Sequence, residues 1–181
     1  MRLLYNVVKF LVAFKIIEDV LITEQVTEEP TFYTQENFDS LIEESITYFS
    51  KELEQKQITL VKSLNFGKTI KIDRPKFERV IHNLLYNSLK FTYENGAIDI
   101  STSTENNKLK LVVKDDGIGI PKNLQEYIYD KFTQAKRVGT AGEYTTGLGM
   151  HLTKQIVELH GGTIKMESDG KSGTSFSIFL N

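Results

Sequence analysis

The sequence predicts an α+β fold: one mostly antiparallel, mixed sheet covered by helices on one face, a two-layer sandwich. Two observations carry this. Short stretches with period-two alternation come mostly as neighbours joined by turn residues, and stretches with apolar residues three and four apart stand between them. The chain has 181 residues, 40% hydrophobic and 25% charged, which suits one globular domain plus an appendage.

In chain order, residues 3–22 come first. Leu4, Val7, Leu11, Phe14 and Leu21 follow a 3–4 spacing that only Glu18 breaks. This reads as an amphipathic helix with a seam for a partner helix, although such a face can also pack on its own domain. Lys9, Lys15, Glu18 and Asp19 argue against a membrane span, and Lys9 interrupts the apolar core a signal peptide needs. Residues 24–30 are polar and end in Pro30, as a linker would. The chain thus divides into residues 1–29 and a domain over 30–181. Within the domain, residues 32–34 read as a short strand. Residues 38–53 read as a helix carrying Phe38, Leu41, Ile42, Ile46, Phe49 and Leu53, and 58–64 as a strand. Asp73 is a fitting N-cap for a helix to about residue 92, with Pro75 in its first turn. Asn95-Gly96 marks a turn. Residues 97–104 and 108–114 alternate around Glu105-Asn106-Asn107 as a hairpin does. Pro121 opens a short helix to about residue 130. Residues 137–146, rich in Gly and Thr, read as a mobile loop. A helix over 148–159 is stopped by Gly161-Gly162, and strands 163–168 and 174–180 flank a Gly-rich turn.

Composition excludes several functions. A net charge of -2, with no Lys/Arg run longer than two, gives no footprint for nucleic acid. Without cysteine there are no disulfides, thiolate nucleophiles or Cys-based metal sites.

Four elements carry chemistry. Asn83, Asn87 and Lys90 stand at i, i+4 and i+7 beside the apolar stripe Phe77, Val80, Ile81, Leu84 and Leu85. Two amides and an ammonium on one face can hold a hydrated Mg²⁺ and a polyphosphate, although a solvated polar face looks the same. Asp115-Asp116-Gly117-Ile118-Gly119-Ile120-Pro121 follows an apolar strand. A carboxylate there can accept from the amino group of a base, and the glycines let backbone approach a ligand. Gly147-Leu148-Gly149 opens a helix after Lys136, Arg137, Gly139, Gly142, Thr145 and Thr146, a place where free N–H groups can meet an anion. The fourth element, Gly170 to Phe176, is a Gly-rich turn into the last strand.

In this order the four resemble the ATP-binding domain of sensor histidine kinases, of the Bergerat-fold superfamily shared with gyrase, chaperone ATPases and mismatch-repair ATPases. His82-Asn83-Leu84-Leu85-Tyr86-Asn87-Ser88-Leu89-Lys90-Phe91-Thr92 looks like the N box, and Asp115 to Gly119 like G1. Ile128 to Phe132 looks like the F box, continued by Thr133-Gln134-Ala135. Thr146 to Met150 looks like G2, and His160-Gly161-Gly162 with Gly170 to Phe176 matches the closing segment.

The resemblance implies ATP and Mg²⁺ as ligands, and roles for residues. Asn83, Asn87 and Lys90 would form the catalytic set, with Asn87 the metal ligand, Asn83 its support and Lys90 on the phosphates. Asp115 would read the adenine amino group, assisted by Thr174, with Phe91 beside the base and Gly117 and Gly119 shaping the pocket. Residues 137–146, beginning with Arg137, would be a lid, and Gly147 and Gly149 would lie against the phosphates. Ile120, Phe132, Lys136, Thr145, Thr146, Leu148 and Met150 complete the nucleotide-binding set by their places in the boxes. Residues 1–22 look like the second helix of a dimerisation hairpin, a seam that allows a homodimer. A phosphoacceptor hairpin and a response regulator receiver domain are the implied partners, in the cytoplasm, and whether the parent protein spans a membrane is left open.

Two departures stand out. Thr145 takes the first Gly position of the family's G2, and a hydroxyl there can still donate to phosphate. The hydrolysing cousins carry Glu where this chain has Asn83, which lacks the basicity to activate water. His82, His151 and His160 all lie inside ATP-domain boxes, so none suits the acceptor role, and transfer would be to a histidine outside the chain. A nucleotide-binding pseudokinase and a slow ATPase are the alternatives.

Overall fold

The computed structural model describes residues 29–133, 135–143 and 145–181; the helix expected over 3–22 lies outside them. The chain runs β1 Thr34–Asn37, α1 Phe38–Tyr48, α2 Ser50–Gln55, β2 Thr59–Leu64, β3 Thr69–Ile72 and α3 Arg74–Phe91. It continues β4 Ala97–Glu105, β5 Lys108–Asp115, α4 Lys122–Gln125, α5 Gly149–Leu159, β6 Thr163–Glu167 and β7 Thr174–Leu180.

Five strands form one sheet in the order β2-β4-β5-β7-β6. Only β2 and β4 pair in parallel; the other neighbours are antiparallel. A parallel pair needs a crossover, and α3 lies in it. Ile98, Ile100, Leu109, Leu111, Val113, Phe176, Ile178 and Leu180 alternate onto the face that α1, α3 and α5 cover. Along that same face, β5 ends on Asp115 and β7 begins on Thr174.

The helix over Arg74–Phe91 forms for the reasons the sequence gives. The Asp73 carboxylate accepts from Lys76 N–H at 3.1 Å, Pro75 sits where no intrahelical N–H is needed, and Phe77, Val80, Leu84 and Leu85 are buried. Three expectations change. The helix over 38–53 breaks at Phe49, whose N–H turns back to the Ile46 carbonyl at 3.0 Å; Phe49 and Leu53 still reach the core. The helix expected from Pro121 narrows to α4, because Leu124, Tyr127 and Asp130 bond to carbonyls three residues back, a chain of tight turns. The first short strand lies at Thr34–Asn37 and pairs with β3, which the sequence reading did not include.

Candidate active site

One wall of the site is the end of the sheet. Register sets Asp115 opposite Ile98 on one side and Thr174 on the other. Its carboxylate is buried, 5% exposed, and accepts from the backbone N–H groups of Gly117 at 3.0 Å and Thr174 at 3.3 Å, and from the Ser88 hydroxyl at 3.5 Å. Burial pushes its pKa up to about 6, aided by Asp116, against the pull of those donors. Backbone packs tightly around it. A Cβ at Gly117 would fall 2.2 Å from the Phe91 carbonyl oxygen, and one at Gly173 2.0 Å from that of Asp115.

The polar face of α3 forms another wall. The Asn83 amide donates to the Gly149 carbonyl at 3.1 Å and to Thr153 Oγ1 at 3.3 Å, tying α3 to the first turn of α5. One turn on, the Asn87 amide nitrogen contacts the Met150 sulfur at 3.2 Å. Lys90 is buried, and its ammonium donates to the Thr145 hydroxyl and lies 5.2 Å from the Phe91 ring centre. Burial lowers its pKa to about 8, opposed by the nearby Glu143. The first-Gly position of G2 is thus filled by a hydroxyl that takes a bond from Lys90 and gives one to the Arg137 carbonyl at 2.8 Å.

From the loop, the Arg137 guanidinium stacks 4.9 Å from the Phe91 ring centre and donates to the Gly119 carbonyl. Burial lowers its pKa, opposed by Asp115.

These walls enclose a cavity of about 570 Å³, within the usual range for small-molecule sites. Asn83, Asn87, Lys90, Phe91, Asp115, Ile120, Arg137, Thr145, Thr146, Gly147, Gly149, Met150 and Thr174 all line it. Gly117 and Gly119 shape the turn behind Asp115. Those two glycines and three more expected residues stand away from the lining. The Leu148 side chain is buried in the core, Phe132 is 47% exposed, and the exposed Lys136 spans from the Phe132 ring to the backbone of Gly147.

Other lining residues were not foreseen. Tyr48, Phe49, Glu52, His82 and Tyr86 also line the cavity. Tyr48 stacks on His82 at 4.8 Å, and burial holds the His82 pKa below its ordinary value, against Glu78. His82 and Tyr86 are one turn apart, one residue before Asn83 and Asn87, so helical periodicity could have found them. His160 is structural. Its Nε2 accepts from Asp73 N–H at 3.0 Å, which leaves Nδ1 to donate to the Ile156 carbonyl at 2.7 Å. His151 Nδ1 faces the Tyr129 carbonyl at 2.9 Å.

Among the described residues no group of three or more His, Asp or Glu side chains could hold a metal ion. The Asn87 amide oxygen, a hard neutral donor in the cavity wall, is the kind of group that could hold a hydrated Mg²⁺.

Comparison with known proteins agrees with this geometry. Residues 72–181 match the family described as histidine kinase-, DNA gyrase B-, and HSP90-like ATPase. The sensor histidine kinase TmoS of Ectopseudomonas mendocina is 38% identical over 70% of this chain and 13% of its own length. The catalytic domain of histidine kinase ThkA, in a nucleotide-free crystal form, superposes with a TM-score of 0.70 at 28% identity, covering 82% of this chain and 95% of that one. ThkA in complex with response regulator protein TrrA gives a TM-score of 0.75 at 26% identity, over 99% of this chain and 50% of that one. The chain spans 7% to 25% of the first three relatives it matches by sequence. It belongs to the histidine kinase-, DNA gyrase B- and HSP90-like ATPase family and carries the catalytic ATP-binding domain of a sensor histidine kinase.

Proposed function

We propose that this chain holds ATP·Mg²⁺ so that a histidine outside it, on a phosphoacceptor hairpin, attacks the γ-phosphorus. A ring nitrogen of that histidine forms a bond to phosphorus as the bond to the bridging oxygen of the leaving ADP breaks. The observation that carries this reading is one cavity whose lining brings together a buried carboxylate, Asp115, and an amide with an ammonium, Asn87 and Lys90. Asp115 accepts from the adenine amino group, and Phe91 packs beside the base. Lys90 sets its charge against the phosphates. The Asn87 amide oxygen would hold the metal, and Mg²⁺ when bound would neutralise phosphate charge. Asn83 supports Asn87 through its hold on α5 and offers no base for water, which favours transfer over hydrolysis.

Residues 1–29 serve in this reading as the second helix of the hairpin and its linker. A response regulator receiver domain is the downstream partner; the likeness to ThkA bound to TrrA supports that choice. Among the described residues no helix is long and apolar enough to cross a membrane.

The test is transfer from γ-labelled ATP to separately prepared cognate hairpins. Acid-labile, alkali-stable label on a hairpin histidine is expected. ATP binding with no phosphohistidine on any of them would overturn the kinase reading.

A further inference from the structure

Lys56 lies in the turn after α2, outside every box the sequence shares with its family. Its side chain is 16% exposed and reaches away from its own helix. The ammonium donates to the Leu89 carbonyl at 2.7 Å and the Thr92 carbonyl at 3.3 Å, at the C-terminal end of α3. Carbonyls there lack intrahelical partners and carry the negative end of the helix dipole, so a cation is well placed.

The same ammonium also reaches the loop over residues 137–146. It donates to Thr140 Oγ1 at 2.9 Å and pairs with Glu143 Oε1 at 3.1 Å. Thr140 adds its own bonds, from its N–H to the Lys90 carbonyl at 2.9 Å and from its hydroxyl to the Thr92 carbonyl at 2.7 Å. Burial alone would raise the Glu143 pKa, but its own backbone N–H, Lys56 and the Ala141 N–H hold it below the ordinary range. Between these anchors the loop closes on itself, with Gly139 N–H bonded to the Glu143 carbonyl at 2.9 Å and Gly142 N–H to the Gly139 carbonyl at 3.0 Å. A Cβ at Gly139 would meet the Glu143 carboxylate at 2.2 Å and Lys90 Cγ at 2.6 Å, so the loop tip sits hard against the α3 lysine.

Arg137 and Thr145 flank this fastened tip, and both line the cavity. We propose that Lys56 is a positioning residue for nucleotide binding: it fastens the loop tip to the end of α3 and so holds Arg137 at the base side and Thr145 on Lys90 at the phosphate side. This rests on the nucleotide-site reading above. Lys56 touches no ligand in this role. It sets how long the loop stays over a bound nucleotide.

The test uses the full chain with Lys56→Met, Lys56→Arg and Glu143→Gln. Stopped-flow release of a fluorescent ATP analogue with Mg²⁺ is read beside amide exchange over residues 139–143 and melting temperature. Loss of one charge-assisted anchor predicts about tenfold faster release and about tenfold faster exchange in Lys56→Met. Lys56→Arg restores most of both. Glu143→Gln leaves the helix-end bonds intact, so it shifts release and exchange in the same direction at a melting temperature close to wild type, and it decides the matter should Lys56→Met fold poorly. Wild-type release and exchange rates in folded Glu143→Gln would overturn the proposal. Failure of the wild-type chain to bind the analogue would instead overturn the nucleotide-site reading.

Discussion

The backbone N–H of Thr174 points at the Asp115 carboxylate from the strand directly opposite, 3.3 Å away. The contact is made by main chain, so the sheet register itself orients the carboxylate, and the Thr174 hydroxyl is not needed for it. Asp115→Asn keeps the shape: its amide oxygen can still accept from the N–H groups of Gly117 and Thr174, which share Oδ1, while its NH2 takes the place of Oδ2 and sets a donor where the adenine amino group needs an acceptor. Adenine-nucleotide affinity should fall at least tenfold, on the order of a lost hydrogen bond to a charged group, with the fold retained. Calorimetric titration alongside circular dichroism checks both; unchanged affinity would remove Asp115 from the base site.

The same carboxylate makes a pH prediction. Its pKa is raised to about 6, so it protonates well above the ordinary carboxylate range. Adenosine, which carries no titrating phosphate, should bind more weakly as pH drops through about 6, and Asp115→Asn should flatten that step. Stability moves the other way. The cost of burying the ionised form is fully present above about 6 and is relieved as the group protonates, so Asp115 favours the folded state increasingly from there down towards the unfolded value. Melting curves of wild type and Asp115→Asn across that window separate this contribution.

Asn87→Ala should reduce phosphoryl transfer by a hundredfold or more, the order seen when an electrostatic group at a transition state is removed. Nucleotide binding without metal should change far less, because Asp115 and Phe91 are untouched. Transfer that persisted at near wild-type rate would show that Asn87 is not the metal ligand.

Two glycines should behave differently under the same change. Gly117→Ala places a methyl 2.2 Å from the Phe91 carbonyl oxygen, so the turn after β5 and the end of α3 must separate. A loss of about 2–3 kcal/mol follows from overpacking of this kind. Gly142, at φ +86 with open space around it, pays only the left-handed backbone cost of about 1 kcal/mol on change to alanine. Urea unfolding of both variants measures the gap.

What the sequence made legible was local. The cap at Asp73, the stripe along α3 and the alternation of β4 and β5 each sit within one continuous stretch, and each appears in the structure within a residue or two. Strand β3 is four residues long and takes its partner from β1, more than thirty positions upstream, so no window of sequence contains the reason it forms. The break at Phe49 is hidden because the apolar period runs through it unchanged. In the candidate site, many of the residues that line the cavity lie on the boxes, where order and spacing point to them. Tyr48, Glu52 and Lys56 could not be found that way, since α1 and α2 come to the cavity and to the end of α3 only through packing.

The backbone crowding at Gly117 and Gly173 has a bearing on inhibitors. A competitor that places a donor against Asp115 would meet a surface made of a sheet end and a helix end, with the main chain of Phe91 and Asp115 pressed against the two glycines. Side chains cannot grow into that surface without prising the two elements apart. Escape by substitution at either glycine would therefore damage the protein before it excluded the drug.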